Sequence, residues 1–218
     1  MSSGVLAHGD APHHGRGIHR RRDNTPTERI AAFSDAMIAV IITIMVLELK
    51  APEDPKLNAI LALWPTLVSY VVSYAFIAII WINHHHLLQL VREISPRLIW
   101  INFVHLFFVS LLPFATAWMA RTELAPLPVA IYAAIFVLVN GAYVFFEREA
   151  LAQAEVTAMT VHARRLARRR SLTGLAIFAL ASVAAAFEPL AGFALICAAL
   201  LLYLRPDLFL RHRNLNID

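Results

Sequence analysis

From Arg29 onward the chain alternates long apolar runs with short polar interruptions. Runs of roughly 17 to 25 residues suit helices that cross a bilayer. The pattern predicts six of them. The first covers Arg29–Leu49 and is followed by a turn containing Pro52 and Pro55. The second is expected over Leu57–His85, the third over Pro96–Met119 and the fourth over Pro126–Phe146. After a long charged connection come a fifth over Leu172–Phe187 and a sixth over Pro189–Leu204. These last two are short and only Glu188-Pro189 separates them, so they read as two tightly linked spans or as a re-entrant pair.

Composition agrees with a membrane protein. The chain has 218 residues, of which 59% are hydrophobic and 16% charged, with a mean hydropathy of +0.63. The fold class expected is an all-α integral membrane protein, with residues 1–28 as a disordered cytoplasmic tail, 29–204 as the transmembrane domain and 205–218 as a short cytoplasmic tail. No apolar stretch precedes Arg29, so the first helix is expected to direct insertion. Cys197 lies in an apolar run and reads as a packing residue.

The formal charge of +4 could suggest nucleic acid, but the placement of the arginines points to membrane orientation. Arg16, Arg20, Arg21, Arg22 and Arg29 precede the first helix, and Arg92 and Arg97 lie between the second and third. Arg148 and the cluster Arg164, Arg165, Arg168, Arg169 and Arg170 lie between the fourth and fifth, and Arg205, Arg211 and Arg213 follow the sixth. The opposite loops hold Lys50, Lys56 and Arg121. The positive-inside rule places both termini in the cytoplasm, as an even number of spans requires. The basic stretch His162–Ser171 is expected to be a juxtamembrane helix that orients the fifth span and can touch anionic lipid over Arg164–Arg170.

Polar groups inside the spans are costly and need partners. Ser34 and Asp35 lie just inside the cytoplasmic end of the first helix. At the same depth the second helix ends in Trp81, Asn83, His84, His85 and His86, and the third begins with Trp100, Asn102 and His105. We expect Ser34 and Asp35 to accept hydrogen bonds from His84 or His85, with Trp81 and Asn102 nearby. Arg29 lies about 9 Å from Asp35 along the axis and is better placed to meet another helix or subunit. Successive helical residues diverge by about 100°, so His84, His85 and His86 do not suit one metal ion, and no metal is expected. His8, His13, His14 and His19 read as part of a solvated tail. Beyond Asp35, helical spacing from Ala36 puts Val40, Thr43, Ile44 and Leu47 on one stripe. Such a stripe suits a helix–helix contact, the commoner use. It equally suits the wall of an axial pore, where apolar rings gate by dewetting and hydroxyls replace part of an ion's water shell.

The stretch RIAAFSDAMIAVIITIMVLEL resembles the Arg-x-x-x-Phe-Ser-Asp first helix of the transmembrane protein 175 potassium-channel family. Its matching positions are Arg29, Phe33, Ser34, Asp35, Ala36, Ala39, Ile42, Thr43, Val46, Leu47 and Glu48. The likeness extends through WINHHH and through Leu98–Trp118, where Asn102, Pro113, Phe114 and Thr116 fit. The last three helices match in type only. The resemblance implies a potassium-selective channel in a bacterial inner membrane, a homotetramer of one six-helix unit per chain with the first helices lining the pore. It implies apolar constriction at Val40, Ile44 and Leu47 and a selectivity layer at Thr43. It also implies a structural network of Arg29, Phe33, Ser34, Asp35, Trp81, His84, His85 and Asn102 behind the pore. Glu48 falls near the extracellular mouth, where it either concentrates cations or marks the helix end. Val40 departs from the bulkier Ile or Leu usual in the family, so Ile44 is a second candidate for the narrowest ring. Met37 and Ile38 replace a common Val-Phe pair.

No cofactor is expected beyond the permeant ion, and no enzyme: nucleophile spacing, a phosphate loop and clustered carboxylates are all missing from the sequence. The competing expectation is a proton-coupled cation transporter using Asp35 and the His84/His85 cluster.

Overall fold

The computed structural model describes residues 25–154 and 160–204, all of whose regular structure is helical apart from one isolated bridge between Val91 and Ala154. The histidines at 8, 13, 14 and 19 and the C-terminal tail fall outside the described residues. The helices are α1 (Pro26–Leu47), α2 (Leu57–Ala62), α3 (Trp64–Gln89), α4 (Pro96–Ser110), α5 (Leu112–Arg121), α6 (Pro126–Gln153), α7 (Val161–Phe187) and α8 (Pro189–Leu204). Five stretches are long and apolar enough to cross a membrane: α1, α3, α4 with α5, α6 and α7. The chain is a multi-pass membrane protein. Helix α8 is apolar but shorter.

Several boundaries differ from the sequence expectation, each for a local reason. Helix α1 begins at Pro26, so the last residues of the expected tail are helical. Thr25 and Glu28 form a reciprocal capping box there, and Pro26 occupies the first turn, where its missing N–H costs nothing. The second span divides at Leu63 into α2 and α3. Pro65 enters the first turn of α3 and cannot continue α2. The third divides at Leu111, where Pro113 opens α5. Conversely, α6 runs to Gln153 rather than Phe146, because its last turns bury Phe146, Glu147 and Ala150. The basic stretch after Val161 is continuous with the fifth span.

Helix ends with basic residues gather at one end of the bundle. The Gln153 side chain accepts from Ser95 N at 3.1 Å and donates to Ser95 Oγ at 2.7 Å, tying the end of α6 to the start of α4. Arg164 of α7 donates to the Leu151 carbonyl at 3.0 Å, and Arg170 to that of Tyr203 in α8 at 2.8 Å. Two cores result. The larger joins Ile38, Ile41 and Met45 of α1 to Phe76 and Ile77 of α3, Phe136 of α6 and Phe178 of α7. The smaller, at the basic end, gathers Leu87, Leu88, Leu98, Phe146 and Ala150. Inside the larger core a polar chain ends on the backbone: Tyr132 OH and Ser73 Oγ meet at 2.7 Å, as do Ser73 Oγ and Thr116 Oγ1, and Thr116 donates to the Leu112 carbonyl. Every hydroxyl in that chain has a partner, which an apolar surround demands.

Helices α7 and α8 pack with almost no space between their backbones. A Cβ on Gly192 would lie 2.4 Å from Ala185 Cβ and 2.7 Å from Ala185 Cα. Backbone atoms cannot yield as a side-chain tip can, so Gly192→Ala must push the helices apart. It should cost about 1–3 kcal/mol, seen as a lower thermal unfolding midpoint of the purified protein. An unchanged midpoint contradicts the close approach.

Candidate functional site: the faces of the first helix

Helix α1 has two faces of opposite character. Ser34, Ile38, Ile41 and Met45, spaced four, three and four apart, point into the bundle and are buried. On the opposite side of the helix, Ala36, Ala39, Val40, Thr43, Ile44 and Leu47 are exposed, with Val40 at 52% and Leu47 at 77%. The expected pore stripe therefore makes no core contact within its own chain. Thr43 Oγ1 donates to the Val40 carbonyl at 2.8 Å. That bond occupies the hydroxyl proton and leaves the oxygen lone pairs on the exposed side, the polarity a cation needs. A groove of about 520 Å³ runs beside the stripe between α1 and α5, lined by Val40, Ile44, Pro113 and Phe114. At its end Glu48 pairs with Arg121, so the carboxylate at the expected mouth is matched by a guanidinium.

The polar residues expected to meet behind the stripe form two separate clusters. The inner one is wholly buried. Asn102 Nδ2 donates to Ser34 Oγ at 3.0 Å, while Asn102 Oδ1 lies 2.7 Å from His84 Nε2, which must carry the proton for that bond. Serine and histidine thus meet through the asparagine and not directly. His84 also stacks on Phe146, with ring centroids 4.7 Å apart, and on His105 at 5.8 Å. His105 Nδ1 contacts the Val139 carbonyl at 3.2 Å.

The outer cluster is about one-third exposed. Trp81 Nε1 donates to Asp35 Oδ1 at 2.8 Å, and His85 Nδ1 lies 3.4 Å from Asp35 Oδ2. Gln89 approaches His85 Nε2 at 2.9 Å from the next turn, and Trp81 stacks on the imidazole. With the Gln89 amide donating, the ring proton sits on Nδ1, the edge that faces Asp35. His86 bonds back to the Ile82 carbonyl in its own helix. The three consecutive histidines therefore serve three directions. Phe33 packs edge-on against Phe103 at 5.4 Å. Arg29 is not drawn into either cluster: it is exposed, and its side chain has no ion pair among the described residues.

Sequence reading assigned nothing to Asn140, Glu147, Ser171 and Tyr203. Ser171 donates to Glu147 at 3.1 Å and Asn140 to Tyr203 OH at 3.3 Å, linking α6, α7 and α8. The signal available was a carboxylate and an amide at helical spacing on the face that α6 buries.

The site is thus a bundle of membrane-spanning helices with an exposed apolar stripe on α1 and a buried polar brace behind it. Comparison with known proteins shows what the chain resembles. A sequence model described as "Endosomal/lysosomal potassium channel TMEM175" matches residues 29–113. A potassium channel of Chryseobacterium sp. (strain P1-3) is 40% identical over 119 residues, 55% of this chain and 62% of its own. A potassium channel of Chamaesiphon minutus is 32% identical over 126 residues, 54% of this chain and 62% of its own. The human endosomal/lysosomal proton channel TMEM175 is 31% identical over 100 residues, 40% of this chain and 20% of its own. The crystal structure of a lysosomal potassium-selective channel TMEM175 homolog from Chamaesiphon minutus superposes with a TM-score of 0.73 at 24% identity, covering 81% of this chain and 95% of that one. Over residues 29–113 the chain is similar to the TMEM175 family, and its fold matches that of the superposed homolog. Its matches span about 62% of the length of those two bacterial relatives.

Asn102 is the hinge of the inner cluster. Asn102→Ala leaves Ser34 Oγ and His84 Nε2 buried without partners and should cost roughly 2–4 kcal/mol. Ser34→Ala strands only one amide proton and should cost less. Denaturant titration of the purified variants checks the order; equal and small effects would contradict the bridge.

Proposed function

We propose that the protein is a passive, potassium-selective cation channel that works as a homotetramer of six-span chains in a bacterial inner membrane, both termini cytoplasmic. The observation that carries this reading is the exposed α1 stripe. An apolar face opposite a fully packed one needs either lipid or another copy, and lipid alone gives no reason for a hydroxyl at Thr43 with its lone pairs turned outward. Four copies around an axis make Val40, Ile44 and Leu47 into stacked apolar rings with a hydroxyl ring between them, within about 10 Å along the helix. Such rings hold water out until the pore widens, and the hydroxyls replace part of the hydration shell of a dehydrating cation. The names of the bacterial relatives support the same activity. The basic helix ends support the cytoplasmic placement. Helix α8, at 16 residues, is about 24 Å long and serves as the sixth span. Glu48, paired with Arg121, marks the helix end in this arrangement.

The test is flux through purified protein in vesicles under asymmetric potassium and sodium. Asn at Val40, Ile44 or Leu47 should raise or deregulate conductance, because a polar ring wets more readily; unchanged flux in all three removes the pore from α1. Thr43→Ala should shift the potassium-to-sodium permeability ratio, and an unaltered ratio removes Thr43 from selectivity.

A second reading, proton-coupled cation transport, draws on the Asp35–His85 contact and on the vertebrate relatives named as proton channels. It predicts that cation flux carries protons and collapses in Asp35→Asn, whereas the channel reading predicts cation flux down its own gradient with no proton movement.

A further inference from the structure

Helix α7 carries a second one-sided pattern that lies apart from the α1 stripe. Its buried residues, Ser171, Gly174, Phe178, Ala181 and Ala185, face α6 and α8. On the opposite side, positions 165, 168, 169, 172, 176, 180, 183 and 187 fall within about 60° of one line at 100° per residue. All of them are exposed. The first three are Arg165, Arg168 and Arg169; the remainder are apolar, including Leu172, Leu180, Val183 and Phe187.

The five arginines of this segment divide by function. Arg164 and Arg170 spend their guanidinium groups on the carbonyls of Leu151 and Tyr203, and Arg170 also lies 4.7 Å over the Tyr203 ring. These contacts hold the basic part of α7 against α6 and α8 as a fixed extension of the span. Arg165, Arg168 and Arg169 turn outward and make no ion pair among the described residues. The nearby acid, Glu147, is buried and points at Ser171. Arg168 lies within electrostatic reach of that carboxyl, but it makes no ion pair with it. The geometry therefore presents three outward-facing positive groups directly above an apolar strip on a single helix face. From Leu172 to Leu180 that strip is about 12 Å long, most of the roughly 15 Å depth of one leaflet.

We propose that this face of α7 binds an anionic phospholipid, with Arg165, Arg168 and Arg169 holding the headgroup phosphate and an acyl chain lying along Leu172, Ala176 and Leu180. Charge complementarity selects the occupant. A zwitterionic lipid suits the strip but offsets its phosphate with its own cation, leaving three guanidinium groups without a net negative partner, and a soluble phosphate offers the charge without the acyl chain. Because α7 packs on α6 and α8 while α1 packs on α3, α4 and α5, the site does not depend on the channel reading of α1.

The test is native mass spectrometry of the full chain in detergent, titrated separately with dioctanoyl phosphatidylglycerol, dioctanoyl phosphatidylcholine and glycerol 3-phosphate. The expected result is at least about tenfold tighter binding of phosphatidylglycerol than of either alternative, since each basic residue near a lipid headgroup is worth about fivefold. Arg165→Gln, Arg168→Gln and Arg169→Gln combined should erase the preference, and the triple Lys variant should keep most of it. Arg148→Gln, at the same end of the bundle but on α6, should leave it intact. Equal binding of the two lipids by the parent overturns the proposal, as does a preference that survives the triple Gln change or falls equally with Arg148→Gln. Glycerol 3-phosphate binding as tightly as the lipid overturns the role of the apolar strip and with it the lipid as ligand. Should the triple Gln variant misfold, the parent's three titrations and the Lys variant decide the matter alone.

Discussion

A buried amide sets the rotation of α1. Asn102 gives its proton to Ser34 and its oxygen to His84, so three helices lock at one depth through one side chain. Each of those bonds lies in a region without water, where losing a partner is costly. Rotating α1 by one residue, about 100°, would break the bond to Ser34 and carry Asp35 inward without its tryptophan. The same turn would swing Ile38 and Ile41 out of the core. The apolar packing of Ile38, Ile41 and Met45 supplies most of the attraction between α1 and the bundle, but apolar contact alone tolerates rotation. The polar brace removes that freedom and thereby fixes which residues are left facing outward.

The division of labour between Ser34 and Asp35 follows from this. Adjacent residues on a helix diverge, so one serves the sealed interior and the other a partly open side where Trp81 and His85 converge. The inner cluster is suited to rigidity. The outer one is partly exposed. A sealed brace and a partly open cluster thus sit one residue apart without sharing a hydrogen bond.

Much of this was legible in the sequence. Long apolar runs announced the spans, and the depth of Ser34, His84 and Asn102 announced that they would meet, whereas Asp35 turns to Trp81 and His85 in a separate cluster. The stripe from Ala36 to Leu47 followed from helical spacing. Sequence reading did not anticipate that Asn102 is the bridge, because the choice between a direct serine–histidine bond and a relayed one depends on angstrom-scale helix separation. The breaks at Leu63 and Leu111 were signalled by Pro65 and Pro113, but a proline is equally at home in the first turn of a helix. The extension of α6 to Gln153 was obscured by its charges: Glu147 and Glu149 read as loop residues, whereas they bond to Ser171 and Gln153. Asymmetry on α7 was hidden for the same reason, since a run of arginines looks uniform until their carbonyl partners are known.

The most direct measurement is a density map of the purified protein reconstituted in lipid nanodiscs. The account predicts four copies about an axis, with the side chains of Val40, Thr43, Ile44 and Leu47 pointing at that axis and Ser34 turned away from it toward Asn102. A map in which that stripe faces the acyl chains, or is buried against helices of its own chain, would contradict it.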